Sequence, residues 1–102
     1  MTQTSPSKSR ECIVLVHGLA ASTHFLRPLE KHFARVGFQV HNWGYPSIRD
    51  GVAKNARRMR HMLDDLERGS FIDQIHIIAH SMGSIVTRAA LMEDAPSSLG
   101  RV

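Results

Sequence analysis

Residues 75–84 read IHIIAHSMGS, and this stretch decides how the chain is expected to fold and where its chemistry lies. An apolar run reaches Ala79, passes through Ser81 and continues from Gly83 into a helix-like segment. A serine at a tight strand-to-helix turn is held in a strained backbone conformation, so its hydroxyl projects away from the sheet. Such a turn requires minimal side chains two residues before and after the serine, as Ala79 and Gly83 are. On this pentapeptide alone, a strand end followed by a serine N-cap remains an alternative.

A second motif occurs near the start of the chain. Residues 12–19 read CIVLVHGL, a nearly continuous apolar run that ends in His17 and Gly18. Such a run is typical of a strand buried on both faces of a parallel sheet. A loop directly after the first central strand is also where enzymes with the serine turn place a second backbone donor. The order of the two motifs and the spacing between them favour one joint site.

The chain between and after the motifs alternates strands with helices. Strands are predicted at residues 12–17, 38–43 and 73–79, with a fourth beginning at 101–102. Helices are predicted from a start between residues 23 and 28 up to Gly37, then at 51–68 and 82–92. This alternation predicts an α/β fold, a three-layer sandwich around a parallel sheet. Crossovers between parallel strands are right-handed, so the strand order decides which face of the sheet each helix covers. The third helix is almost wholly apolar, so we expect it to be buried.

Together, VLVHGL and AHSMG resemble the N-terminal half of an α/β-hydrolase-fold lipase or esterase, and the likeness covers residues 11–102. Ala79 departs from the pattern, which usually has Gly there. The resemblance implies that Ser81 is the nucleophile and that the backbone N–H groups of Leu19 and Met82 form the oxyanion hole. The residues that it implies as shaping the turn and the loop are His17, Gly18, Ala79, His80 and Gly83.

The resemblance also implies a substrate and a strand order. The substrate would be an acyl ester, either a small molecule or a lipid, with no cofactor and no metal. The strands would lie in the order second, first, third, which leaves an outer edge of the third strand unpaired. With right-handed crossovers, this order would place the first helix on one face of the sheet and the other two on the opposite face. That exposed edge is a candidate surface for self-association. Phe25, Trp43 and Tyr45 could line an apolar site, but core packing is the favoured interpretation for each.

The catalytic partners of the serine are missing from the expected place. In the fold that the chain resembles, the acid and then the histidine follow the serine. The only carboxylates after Ser81 are Glu93 and Asp94, at the end of the last predicted helix, and no histidine follows. Among the earlier histidines, His24 is the least unfavourable candidate base, whereas His76 is expected to be a core or packing residue. We therefore predict little or no esterase activity for this chain alone, with base and acid supplied by other sequence.

Composition restricts the remaining function classes. The chain has 102 residues, a net charge of +4 and one cysteine, Cys12, which is expected to be a buried hydrophobe. Its basic residues alternate with acidic ones and do not interleave with aromatics, which argues against nucleic-acid binding. No apolar run approaches the roughly 18 residues of a membrane span. The polar start, residues 1–10, is predicted to be a disordered tail without a secretory signal, so a cytoplasmic location is expected.

Two alternatives to ester hydrolysis stay open. The chain could be a hydrolase-fold remnant or interaction module without catalysis. The same serine turn could also serve acyl transfer, or the hydrolysis of thioesters or amides.

Overall fold

Three parallel strands in the order β2-β1-β3 form the centre of the protein. The computed structural model describes residues 10–69, 72–93 and 95–102, with only the backbone of Glu93. The elements are β1 (Glu11–Val16), a 3-10 helix (Thr23–Leu26), α1 (Arg27–Val36), β2 (Gln39–Trp43), α2 (Val52–Gly69), β3 (Gln74–Ala79) and α3 (Met82–Glu93). The α/β fold class and the strand order are therefore confirmed.

The central strand, β1, is apolar at every residue after Glu11. Residues 12–16 of β1 are all buried, because the strand is covered by helices on both faces and flanked by a strand on each side. Val14 lies opposite His41 of β2 and Ile77 of β3. Cys12 is a free, buried thiol, and burial raises its pKa to about 11. It is thus the small buried hydrophobe that the sequence predicts.

The two faces of the sheet carry separate apolar clusters of unequal size. The larger cluster joins the sheet to α2 and α3 and includes Val14, Val16, Met59, Leu63 and Val86. The smaller cluster, on the face of α1, is built from Ile13, Leu15 and Leu26. This distribution confirms that the first helix covers one face and the other two cover the opposite face.

The ends of α1 follow local rules. Pro28 lies in the first turn, where its missing N–H breaks no helical hydrogen bond. Gly37 ends the helix in the left-handed conformation (φ 117°), and its N–H donates to the carbonyls of Phe33 and Ala34. The predicted start and stop of this helix are both confirmed.

A segment near the end of the chain pairs with the outer edge of β3. Leu99 forms a parallel bridge with Ile75, and the Gly100 N–H donates to the Ile75 carbonyl at 2.7 Å. The Ile77 N–H donates to the Arg101 carbonyl, also at 2.7 Å. Residues 98–101 thus occupy the position of a fourth parallel strand.

This pairing corrects two predictions. The fourth strand position is reached before residues 101–102, and the outer edge of β3 is not unpaired along its first half. Self-association through that edge remains a prediction, for which only the second half of β3 is available. This pairing is hard to predict because Leu99 is the only large apolar residue between positions 96 and 100.

Burial of α3 also differs from the prediction. Val86 and Ala90 are completely buried, but Ile85 is 56% exposed and Met92 is 86% exposed. The helix packs on α2 and the sheet through one side only, so its apolar composition does not make it a core helix on all sides. The expectation of a fully buried helix is therefore wrong.

The predicted polar tail lies outside the described residues except for Arg10. The Arg10 carbonyl accepts from the Asp73 N–H at 2.6 Å, and its guanidinium lies 3.3 Å from the Asp73 carboxylate. Arg10 therefore belongs to the folded part, one residue before the predicted boundary. No helix in the described ranges is both long and apolar enough to cross a bilayer.

Candidate active site

Ser81 lies at a sharp turn between β3 and α3. It is exposed and has a φ of 57°, in the left-handed region that residues with a Cβ rarely adopt. The turn is closed by two backbone hydrogen bonds of 2.9 Å, from Gly83 N–H to the His80 carbonyl and from Ser84 N–H to the Ser81 carbonyl. Such a conformation costs about 1–3 kcal/mol and persists only where the surroundings enforce it. The turn thus holds the hydroxyl of Ser81 outside the sheet.

Gly83 is required by the end of β1. A Cβ at this position would lie 2.6 Å from the Val16 carbonyl oxygen and 2.7 Å from that of His17. The sequence pattern implied a clash across the turn itself, with Ala79. The close approach is instead between the start of α3 and the backbone of the central strand, and it sets how near the turn lies to the loop after β1.

The His-Gly loop packs directly on the serine turn. A Cβ on Gly18 would lie 3.1 Å from the Cβ of Ser81 and 3.2 Å from the Nδ1 of His80. The His80 N–H also donates to the carbonyl of Val16 at 3.0 Å, which ties the turn to the end of β1. The structure therefore brings the two sequence motifs together at the carboxyl ends of neighbouring strands.

His17 is occupied at both ring nitrogens. Its Nδ1 lies 2.9 Å from the Gly18 carbonyl, and its Nε2 lies 3.4 Å from the Tyr45 N–H. A carbonyl can only accept and an amide N–H can only donate, so Nδ1 carries the proton and Nε2 accepts. The ring is buried and stacked on Tyr45 at 4.3 Å. Because it is held by backbone on both sides, His17 has no nitrogen available to act as a base.

Two backbone amides, one on the loop after β1 and one at the start of α3, have no acceptor among the described residues. Neither the Leu19 N–H nor the Met82 N–H donates a hydrogen bond within the described ranges. Met82 is the first residue of α3, where helical N–H groups have no partner inside the helix and the helix dipole favours negative charge. Leu19 directly follows Gly18, which contacts the serine. The site thus combines an exposed hydroxyl with two free donors on adjoining segments.

Two polar residues that follow β2 in the chain, one in the segment before α2 and one in α2 itself, support this loop, and sequence reasoning missed them. Ser47 and Asn55 are buried polar residues, and Ser47 Oγ accepts from the Ala20 N–H at 3.1 Å. Asn55 could have been noticed, since it is a polar residue beside Ala56 on the apolar stripe of α2. Ser47 gives no such signal, because serines are common in turns.

Core packing is the favoured interpretation for three aromatic residues, and two of them lie in the core. Trp43 and Tyr45 are buried and stacked with ring centres 4.9 Å apart. Phe25 is 60% exposed instead, and its ring lies 5.4 Å from the ring of His80. Core packing is therefore wrong for Phe25, which presents apolar surface beside the serine turn together with the exposed Leu19.

No histidine or carboxylate hydrogen-bonds to Ser81 within the part of the chain that the structure describes. His24 lines an open groove of about 480 Å³ along α1 with Arg27, Lys31 and Arg35, and Ser81 does not line this groove. Asp94 and the side chain of Glu93 lie outside the described residues. No three potential metal ligands cluster among the side chains described.

His76 forms a separate contact at the other end of β3. Its Nδ1 accepts from the Arg101 N–H at 3.0 Å, and its Nε2 lies 2.7 Å from a carboxylate oxygen of Glu11. The ring therefore joins β1, β3 and the fourth strand position. This is the packing role that the sequence predicts for His76.

A comparison with solved structures finds a similar fold at low sequence identity. An extracellular α/β-hydrolase from a Paenibacillus species, described as a structural and functional homologue of tobacco salicylic acid binding protein 2, matches with a TM-score of 0.61 and 16% identity. The fold is a partial α/β-hydrolase fold. The match covers 86% of this chain but 37% of the solved one, so this chain spans a little over a third of that hydrolase. No protein-family model matches the sequence, and a comparison with curated proteins finds no match.

Within the α/β-hydrolase fold, the serine turn and the His-Gly loop lie where ligands bind in open parallel sheets. Such sites are found outside the carboxyl ends of the strands, at the point where the strand order reverses. Here that point is between β1 and β3, because the chain runs from β1 outward to β2 and then returns to the other side. The fold and the two motifs therefore agree on one location.

Proposed function

We propose that this chain provides the nucleophile and the oxyanion site of a serine ester hydrolase of lipase or esterase type. One observation carries the proposal: the exposed Ser81 hydroxyl, on a left-handed turn, packs beside a loop and a helix start whose Leu19 and Met82 amides are unpaired. A serine N-cap typically has an extended backbone and accepts from the first turn of its helix, whereas Ser81 is left-handed and its hydroxyl accepts no backbone N–H among the described residues.

The chemistry follows from this geometry. Ser81 Oγ would attack the carbonyl carbon of the ester, and the carbonyl oxygen would take up the negative charge. The Leu19 and Met82 amides would donate to that oxygen, and each such donor contributes about 3 kcal/mol to transition-state stabilisation. The N-terminus of α3 adds its dipole at the same point. The exposed surface of Phe25 and Leu19 suits an apolar acyl group of a small ester or a lipid.

The proton of the serine needs a separate acceptor. A hydroxyl is a weak nucleophile without a base within hydrogen-bond reach, and Ser81 has none among the described residues. We expect the acid and the histidine to come from other sequence, and little activity from this chain alone. An oxyanion site without its triad retains roughly 10³–10⁴-fold catalysis over water.

Added imidazole offers a test, because it can replace a missing histidine as the general base. The chain should hydrolyse p-nitrophenyl esters faster than the imidazole buffer does, and Ser81→Ala should remove the excess. Ser97→Ala, a remote exposed serine bonded to Glu67, is the matched control and should leave the excess unchanged. Equal rates for the native chain and Ser81→Ala would contradict the proposal.

The lack of a base contact at Ser81 favours the non-catalytic alternative as the second candidate. The imidazole experiment separates the two, since an interaction module has no reason to keep two free amides around a reactive hydroxyl. Thioester and amide hydrolysis and acyl transfer pass through the same type of oxyanion. A panel of matched esters, thioesters and amides distinguishes these chemistries by their relative rates.

A further inference from the structure

A buried polar connection leads from α2 to the loop that carries Leu19, and the proposed chemistry does not use its members directly. We propose that Ser47 and Asn55 are positioning residues of the oxyanion site: Ser47 fixes the conformation that leaves the Leu19 N–H free, and Asn55 fixes the segment that carries Ser47. This inference rests on the proposed function for its catalytic consequence, but its structural part can be tested separately.

The first step is the hydrogen bond from the Ala20 N–H to Ser47 Oγ, 3.1 Å long. Ala20 has a φ of 60° and shares the left-handed region with Ser81 alone among the non-glycine residues of the described ranges. A residue with a Cβ stays in this conformation only when its surroundings hold it. The hydrogen bond of the Ala20 N–H orients the peptide between Leu19 and Ala20. The Ala21 N–H closes the turn by donating to the Gly18 carbonyl at 3.2 Å.

The second step is that the same short segment also holds the other end of the loop. The Tyr45 hydroxyl donates to the His17 carbonyl at 2.6 Å, and the Tyr45 N–H donates to His17 Nε2. Burial raises the pKa of the Tyr45 hydroxyl, so it remains a protonated donor at neutral pH. Residues 45–47 therefore hydrogen-bond to the loop on both sides of Gly18, at His17 and at Ala20.

The third step connects this segment to α2. Asn55 is completely buried, and its Nδ2 donates to the carbonyls of Pro46, at 3.2 Å, and Asp50, at 3.0 Å. Its Oδ1 accepts from Arg58, which also forms an ion pair with Asp50 at 2.6 Å. A buried amide is costly unless its hydrogen bonds are made, so this one restrains the segment strongly.

These steps form one path from α2 through residues 46 and 47 to the Ala20 N–H, one residue after Leu19. The path gives a role to two polar side chains that are buried. It also explains how a loop containing a left-handed alanine keeps a single conformation. Neither Ser47 nor Asn55 needs to touch the substrate.

Amide hydrogen exchange and amide chemical shifts measured by NMR on the full chain test the structural part. Ser47→Ala should speed exchange at Ala20 roughly three- to tenfold, because one hydrogen bond is lost, and should shift the Leu19 amide resonance. Asn55→Ala should act in the same direction although Asn55 lies on another element. Val14 in β1 serves as the folding reference. Ser22→Ala is the matched control, because Ser22 Oγ also accepts a backbone N–H, from His24, in the same loop.

The second readout is the rate at which a fluorophosphonate labels Ser81 in the presence of imidazole. The Ser81 Oγ–P bond forms, the P–F bond breaks, fluoride leaves and imidazole takes the hydroxyl proton. Ser47→Ala should slow labelling about ten- to a hundredfold through misplacement of the donor, whereas Ser22→Ala should not. Ser47→Thr, which retains the hydroxyl, should restore much of the rate.

The outcomes distinguish failure of the positioning role from failure of the proposed function. Unchanged exchange at Ala20 in Ser47→Ala overturns the positioning role, whatever Ser81 does. Faster exchange with unchanged labelling also overturns it, since the loop would then not control the oxyanion site. If the native chain is never labelled, the proposed function fails, and exchange at Ala20 alone decides whether Ser47 fixes the loop.

Discussion

At the scale of single residues, the site depends on close backbone approaches that only small residues permit. Gly83 lets α3 begin against the end of β1, and Gly18 lets the loop touch Ser81. The sequence identified both glycines through their motifs. It could not identify Ser47, because the contact with Ala20 joins residues 27 positions apart and is made by a residue type common in turns.

Gly83→Ala should destabilise the protein by about 1–3 kcal/mol, the usual cost of overpacking. The new Cβ would meet two backbone carbonyls of the central strand, which cannot move aside as a flexible side chain would. Urea unfolding measures the change in the free energy of unfolding. Gly69→Ala is the matched control, because no atom of the described residues lies within 4 Å of its added Cβ. A similar small change in both variants would argue against the close approach at Gly83.

At the scale of elements, helix ends could be predicted and the fourth strand position could not. Pro28 and Gly37 mark the ends of α1 by their own conformational preferences, which are local. Residues 98–101 pair with β3 for non-local reasons. Glu67 of α2 accepts from the Ser98 N–H at 2.9 Å and the Ser98 hydroxyl at 2.6 Å, which fixes the segment beside the sheet.

The Glu67 contact should make stability depend on pH in the acid range. Hydrogen bonds from Ser98 lower the pKa of Glu67 below its usual value of 4.5. The folded state therefore keeps the carboxylate ionised to lower pH than the unfolded chain does. Its contribution is complete above the unfolded pKa and is lost as the pH falls through the lower, folded value.

Glu67→Gln should therefore flatten the dependence of the unfolding free energy on pH below about 4.5. Urea unfolding at a series of pH values checks this. Asp65→Asn is the control, because Asp65 pairs with Arg68 in a highly exposed contact that contributes little. If Glu67→Gln and Asp65→Asn follow the native pH curve equally, then Glu67 does not anchor the fourth strand segment.

At the scale of the whole molecule, the sheet is covered unequally. The face toward α2 and α3 holds the larger core, and the face toward α1 leaves an open apolar groove of about 370 Å³ lined by Ile13, Phe33, Phe38 and Ile78, among others. The alternation of strands and helices predicted the parallel sheet, and right-handed crossovers placed the helices on its two faces once the strand order was given. The strand order came from a resemblance rather than from the pattern, because β–α alternation alone is compatible with several orders.

Truncation of two adjacent isoleucines of β3 should show how unequally the two faces of the sheet are covered. Ile77 is 2% exposed within the larger core, whereas Ile78 is 36% exposed on the opposite face. Ile77→Ala should cost about 2–5 kcal/mol, as buried aliphatic truncations do. Ile78→Ala should cost clearly less. Chemical denaturation of both variants measures the difference, and equal costs would mean that the two faces are equally well covered.

The central claim is that the Ser81 hydroxyl is a nucleophile beside two free amides. Mass-spectrometric mapping of the fluorophosphonate adduct on the folded chain with added imidazole tests it most directly. The account predicts an adduct at Ser81 that forms faster than at any other serine and is absent from Ser81→Ala. A folded chain that stays unlabelled at Ser81, or is labelled equally at exposed serines elsewhere, would contradict it.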